Sequence, residues 1–72
     1  MNTNLKILDV VAVLNNLPDK RLSKGQVGTI VEQLDENVFE VEFIDNKTGE
    51  TITLETIDSK DLILLHFELE KV

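Results

Sequence analysis

Few residues of this chain could do chemistry. It has one histidine, His66, no cysteine, and two serines, Ser23 and Ser59. A serine or histidine becomes a nucleophile or a general base only when a second group within hydrogen-bond reach tunes it. Ser23 and Ser59 fall in loop-like segments with no base nearby in sequence, and His66 takes the solvent-facing phase of an alternating run. Carboxylates recur at i, i+2 in Glu40 with Glu42 and in Glu68 with Glu70. Two residues apart on a strand share a face, so such a pair could meet a divalent cation. Any half-exposed strand of an acidic protein makes the same pairs, so the spacing selects no metal. The expectation is a protein that is not an enzyme and has no catalytic, cofactor or metal site.

The elements that must position these residues are strands. Val38-Phe39-Glu40-Val41-Glu42-Phe43 alternates apolar and acidic side chains, the period-two pattern of one buried and one wet face, with Phe39, Val41 and Phe43 inward and Glu40 and Glu42 outward. Before it, Gly25-Gln26-Val27-Gly28-Thr29-Ile30-Val31-Glu32 is β-branched, with glycines where a strand bends or admits another backbone, and Asp35-Glu36-Asn37 supplies a hairpin turn. Leu8 to Leu14 reads as an earlier buried strand. It is followed by a long loop to about Lys24, because Pro18 lacks a donor and biases Leu17 toward extended backbone. Asp45 to Gly49 is a turn, and Thr51 to Ile57 is a fourth strand with Ile52 and Leu54 inward. Asp58-Ser59-Lys60-Asp61 forms a single helical turn. A long last strand follows, with Ile63, Leu65, Phe67 and Leu69 on one face and Leu64, His66, Glu68 and Glu70 on the other.

Seventy-two residues without an internal repeat or linker make one domain, residues 1–72. About five strands and no convincing helix predict an all-β fold, a small SH3-like barrel with an extended C-terminal strand, since closure hides edges that a flat sheet exposes. The ordered segments Leu8-Asp9-Val10-Val11-Ala12-Val13, Leu17-Pro18, Leu22, Gly25-Gln26-Val27-Gly28-Thr29-Ile30-Val31-Glu32, Phe39-Glu40-Val41-Glu42-Phe43 and Asp61-Leu62 resemble a family of short, mainly bacterial and cyanobacterial proteins classed as a domain of unknown function. The resemblance spans roughly residues 7 to 65. It implies an SH3-like β-barrel and carries no activity with it. The tail from His66 to Val72 runs beyond the family's usual end.

Charge narrows the partners. Net charge is −7, with four bases and two acids in residues 1–31 but three bases and twelve acids in residues 32–72. Such a field repels phosphate and favours basic partners. Composition disfavours nucleic acid as a ligand: the basic residues of the first half cluster only at Lys20, Arg21 and Lys24, and three Phe with no Tyr or Trp offer few stacking platforms. The same lack of Tyr and Trp removes the aromatic groove that proline-rich peptides need. The glycines Gly25 and Gly28 precede no helix that could hold a phosphate. No secretory signal pattern or membrane-length apolar run is present, so the expectation is a cytoplasmic protein with no membrane partner.

What remains is a non-enzymatic interaction module. The reading is a small acidic partner of the antitoxin, immunity or accessory-subunit kind. It binds a basic protein surface or forms a homodimer through the C-terminal strand, with Ile63, Leu65, Phe67, Glu68, Leu69, Glu70, Glu40 and Glu42 as the contact residues. The alternative is a nucleic-acid-associated module using the Lys20, Arg21 and Lys24 loop.

Overall fold

The computed structural model describes residues 5–45 and 47–65. Five strands, β1 (Val10–Val13), β2 (Val27–Asp35), β3 (Val38–Ile44), β4 (Thr51–Asp58) and β5 (Leu62–Leu64), form one antiparallel sheet in the order β4-β3-β2-β1-β5. The fold is all-β, with two single 3₁₀ turns, Pro18–Lys20 and Ser59–Asp61. Among the described residues β4 pairs only with β3 and β5 only with β1, so the sheet is not closed into a ring by a β4–β5 ladder.

The β2–β3 hairpin is the spine. Its phase is the one the alternation predicts: Phe39, Val41 and Phe43 are buried, and Ile30 of β2 lies opposite Val41 on the same side. Register shifts between Ile30 and Glu32 and between Gln33 and Asp35 bend the long strand. The bend lets one sheet wrap a core of Val11, Val13, Leu22, Ile30, Phe39, Val41, Phe43, Ile57 and Leu62. Gly28 is required by the closeness of that wrap. A Cβ there would lie 2.7 Å from Val41 Cγ1 and 2.8 Å from both Glu42 O and Phe43 Cε1, closer than any real contact.

The loop after β1 is pinned rather than slack. Leu17 and Leu22 form an isolated bridge around the Pro18–Lys20 turn, and Leu22 is buried. At the C-terminal side, Asp58 caps the Ser59–Asp61 turn by accepting the Lys60 N–H at 3.0 Å, and Ser59 N–H donates to Asn37 O. These bonds deliver the chain from the far edge of the sheet to β1.

Three expectations need correction. The first strand is shorter than Leu8 to Leu14. Leu8 instead occupies a turn closed by Asp9 N–H to Lys6 O and by Lys6 N–H to the Asp9 carboxylate, with φ of 78°. In β4 the inward phase is inverted: Ile52 and Leu54 are exposed, whereas Thr53 and Glu55 are half-buried and Ile57 is buried. Register decides this, because Phe39, Val41 and Phe43 stand opposite Ile57, Glu55 and Thr53, and opposed residues share a face. In β5 the inward residues are Leu62, opposite Val13, and Leu64, opposite Val11, the reverse of the expected phase, while Ile63 lies opposite Ala12 and is exposed and Leu65 is half-buried. Described strand structure ends at Leu64. The extended C-terminal strand expected through His66, Phe67, Glu68, Leu69 and Glu70 lies outside the described residues.

Candidate functional site: the outer face of the sheet

The inversion of β4 brings large apolar side chains to the surface. Outward neighbours follow from the pairings: Thr29 of β2, Glu42 of β3 and Leu54 of β4 form one cross-strand row, with Ile44 and Thr51 in the next. A register shift between Phe43 and Ile44 places Ile52 as the extra residue opposite this break. Val27, Ile44, Ile52 and Leu54 are each about half exposed, as is Ile63 across Ala12 from Val27. Isolated exposed apolar residues are ordinary, but a contiguous group on one sheet face marks a contact surface.

Between the start of β2, the end of β3 and the start of β4 this face sinks into an open groove of ≈ 660 Å³, whose walls include Val27, Thr29, Glu42, Ile44 and Ile52. Glu42 is held in place, since Thr51 Oγ1 donates to its Oε2 at 2.6 Å. Asp45 is committed to the turn: its Oδ1 accepts the Lys47 N–H at 2.7 Å and the Thr48 N–H at 3.3 Å. The groove thus joins an apolar floor to a mixed rim of Glu42, Asp45 and Lys47, which suits a ligand with a hydrophobic stem and a polar or charged end.

The groove is flanked by acids. Glu32 stands directly opposite Glu40, and Glu42 follows on the same face of β3. Among the described residues neither the Glu32 nor the Glu40 carboxylate has a hydrogen-bond or ion-pair partner. Like charges in directly opposed positions destabilise a sheet, so this pair costs the fold something and offers a cation a ready place. Glu40 and Glu42, expected to be exposed, are half-buried because the cross-strand side chains of Thr56 and Leu54 stand beside them.

The residues expected to form the site are thus divided. Glu40, Glu42 and Ile63 lie on the outer face, Leu65 is half-buried, and Phe67, Glu68, Leu69 and Glu70 lie outside the described residues. Val27, Ile44, Ile52, Leu54 and Glu32 were not anticipated. The parity of Ile57 was the signal that could have found two of them: Ile57 shares one face of the strand with Thr53 and Glu55, and a buried Ile57 forces Ile52 and Leu54 outward.

The other candidates stay apart. Lys20 ends the first 3₁₀ turn, Arg21 follows with left-handed backbone and donates its N–H to Pro18 O, and Lys24 donates its N–H to Asn16 Oδ1 at 2.8 Å. All three belong to the loop between β1 and β2. Ser23 donates its N–H to Gln26 Oε1, and Ser59 opens the second 3₁₀ turn. Among the described residues no three His, Cys, Asp or Glu side chains gather to hold a metal ion, and no helix is long and apolar enough to cross a membrane.

Strand order, core and outer face together define a small antiparallel β domain with one apolar, acid-flanked surface. The chain belongs to the family described as a domain of unknown function, DUF4926, whose model matches residues 7–64. No curated protein and no solved structure matches it.

Proposed function

We propose that this chain is a non-enzymatic protein-interaction module, an SH3-like domain whose outer sheet face receives a basic, partly apolar segment of another protein. The observation that carries this reading is the coincidence of Val27, Ile44, Ile52 and Leu54, all exposed on one face, with the Glu32, Glu40 and Glu42 carboxylates beside them. Apolar side chains of a partner would fill the groove, and its lysines or arginines would neutralise the opposed Glu32 and Glu40. Desolvation supplies affinity, and the net charge of −7 speeds encounter with a basic surface and repels acidic ones. An accessory or inhibitory subunit, of the antitoxin or immunity kind, is the form of protein that fits this size and charge.

The test is a titration with an extended peptide of alternating lysine and valine, followed by calorimetry at low and at moderate salt. Binding should weaken with salt, weaken at least about tenfold in Leu54→Lys, and persist in Lys24→Glu. Equal affinity for the wild type and Leu54→Lys would remove the outer face from the account. Tight binding of a nucleic acid duplex lost in Arg21→Glu would replace it with the loop reading.

A further inference from the structure

The outer face does not explain the edge of β4. Among the described residues this eight-residue strand has a partner on one side only. Exposed edges are normally blunted by lysine, proline, inward charge or shortness. From Thr51 to Ile57 the chain has no lysine, no proline and no glycine; the inward Glu55 and the register break at Ile52 blunt it, but they leave the main-chain groups from Leu54 to Thr56 open. Its two most exposed apolar residues, Ile52 and Leu54, are 60% and 50% accessible.

The direction of the main-chain groups follows from the ladder. Ser59 N–H donates to Asn37 O, so residues 37 and 59 form a hydrogen-bonded pair, and in an antiparallel ladder such pairs recur every second residue. Phe39 with Ile57, Val41 with Glu55 and Phe43 with Thr53 are therefore the bonded pairs. The N–H and C=O groups of Leu54 and Thr56 consequently point away from β3, toward the open edge.

We propose that a second copy of this chain pairs there, β4 against β4 about a two-fold axis through Leu54. A foreign basic strand would find one carboxylate on this edge, so its charge selects no such partner. A second copy is matched position by position. In this register Leu54 faces its symmetry mate, Thr53 faces Glu55, Ile52 faces Thr56 and Thr51 faces Ile57. No like charges are opposed within the paired segment. Moving the axis to Glu55 would set two carboxylates against each other, which disfavours that register. Shifting the pairing by one residue would bring groups already bonded to β3 opposite free ones. The edge-facing residues Leu54 and Thr56 bond only when even-numbered positions meet, and the axis at Leu54 meets that condition while using the whole segment. The result is one continuous sheet of two copies, with the apolar outer faces adjoining across the axis.

One strand pair buries less than a standard stable interface, so the dimer is weak and concentration-dependent. The experiment is sedimentation velocity of the full chain over a wide concentration range, beside Leu54→Lys, and oxidative crosslinking of single-cysteine variants. The protein has no cysteine of its own, so any disulfide reports the introduced site. A bonded antiparallel pair sets its Cα atoms about 5.5 Å apart, within disulfide reach. Wild type should shift from monomer to dimer, Leu54→Lys should raise the dissociation constant at least about tenfold, and Leu54→Cys should crosslink to itself. Ile52→Cys should crosslink with Thr56→Cys in a mixture faster than with itself. A monomer at every concentration, a dimer unaffected by Leu54→Lys, or crosslinking no faster at Leu54→Cys than at Ile52→Cys would each overturn the proposal. If Leu54→Lys melts below the working temperature, the crosslinking rates alone decide.

Discussion

β3 and β4 are neighbours in one ladder, similar in length, and they use their apolar residues in opposite ways. In β3 every apolar residue of the odd phase is buried, and its carboxylates take the outer face. In β4 only Ile57 reaches the core. Thr53 and Glu55 are half-buried on the inner side, Thr53 Oγ1 donating to Glu55 Oε2 at 2.8 Å, and Ile52 and Leu54 stand outside. Full burial of an aliphatic side chain is worth about 1.5–3 kcal/mol, so a domain this small forgoes a sizeable contribution by facing two of them outward. The difference separates the strand that makes the core from the strand that makes the surface.

The sharpest way to break this comparison is to place a carboxylate on each strand. Val41→Asp buries an unpaired charge in a fully inaccessible position and should cost about 5 kcal/mol, comparable with the whole stability, abolishing the cooperative melt followed by circular dichroism. Leu54→Asp, which sets a carboxylate opposite Glu42 but in a half-exposed position, should cost no more than about 1 kcal/mol and keep the melt cooperative. Equal losses would mean that the two strands are not divided in this way.

Gly28→Ala tests the close approach on which the division depends. Its methyl would strike the Val41 side chain and the Glu42 carbonyl at once, and backbone cannot give way as a flexible side chain can. A loss of about 2–3 kcal/mol in urea denaturation is expected, and a neutral substitution would show that the sheet is more open than described.

How far the residues alone disclosed this fold depended on whether local pattern or register decided. The β2–β3 hairpin and the turn at Ser59 were legible, because alternating Phe and Glu in β3 admits one phase and the Asp58 cap is a local bond. The phase of β4 was not. Thr51-Ile52-Thr53-Leu54 reads as apolar-inward by its own alternation, yet pairing with β3 imposes the opposite parity. In β5 the same thing happened over three residues, where Leu62 against Val13 left Ile63 outside. Of the expected contact residues, Glu40 and Glu42 lie on the outer face that the alternation of β3 assigns them, whereas Ile63 shares the apolar phase of its run and reaches that face only through register. Val27, Ile44, Ile52 and Leu54 were missed because each belongs to a face that only register defines.

Leu8 offers a smaller probe of the boundary between fold and surface. Left-handed backbone costs a bulky residue about 1 kcal/mol, and Leu8 is 76% exposed, so its side chain contributes little burial in return. Leu8→Asn should raise stability by about 0.5–1 kcal/mol in thermal melts, since asparagine tolerates this conformation. A destabilised variant would show that Leu8 packs on the core. The smallest effect belongs to the outer-face acids. Glu40→Lys turns the opposed Glu32 pair from repulsive to attractive and should add about 0.5 kcal/mol at low salt, fading as salt is raised. A loss at low salt would mean that this pair is not strained.

The central claim is that the apolar side chains of β4 face solvent while its polar ones lean on the core, and thiol labelling reads this most directly because the native chain has no competing cysteine. Single variants Ile52→Cys, Thr53→Cys, Leu54→Cys and Ile57→Cys, each at low concentration to keep copies apart, would be reacted with a small disulfide reagent under native conditions. The account predicts that the Ile52→Cys and Leu54→Cys thiols react near the rate of an unfolded peptide, that the Thr53→Cys thiol is slower, and that the Ile57→Cys thiol reacts only through opening of the fold. Protected thiols in Ile52→Cys and Leu54→Cys with a freely reacting one in Thr53→Cys would reverse the phase of β4 and contradict the outer-face site built upon it.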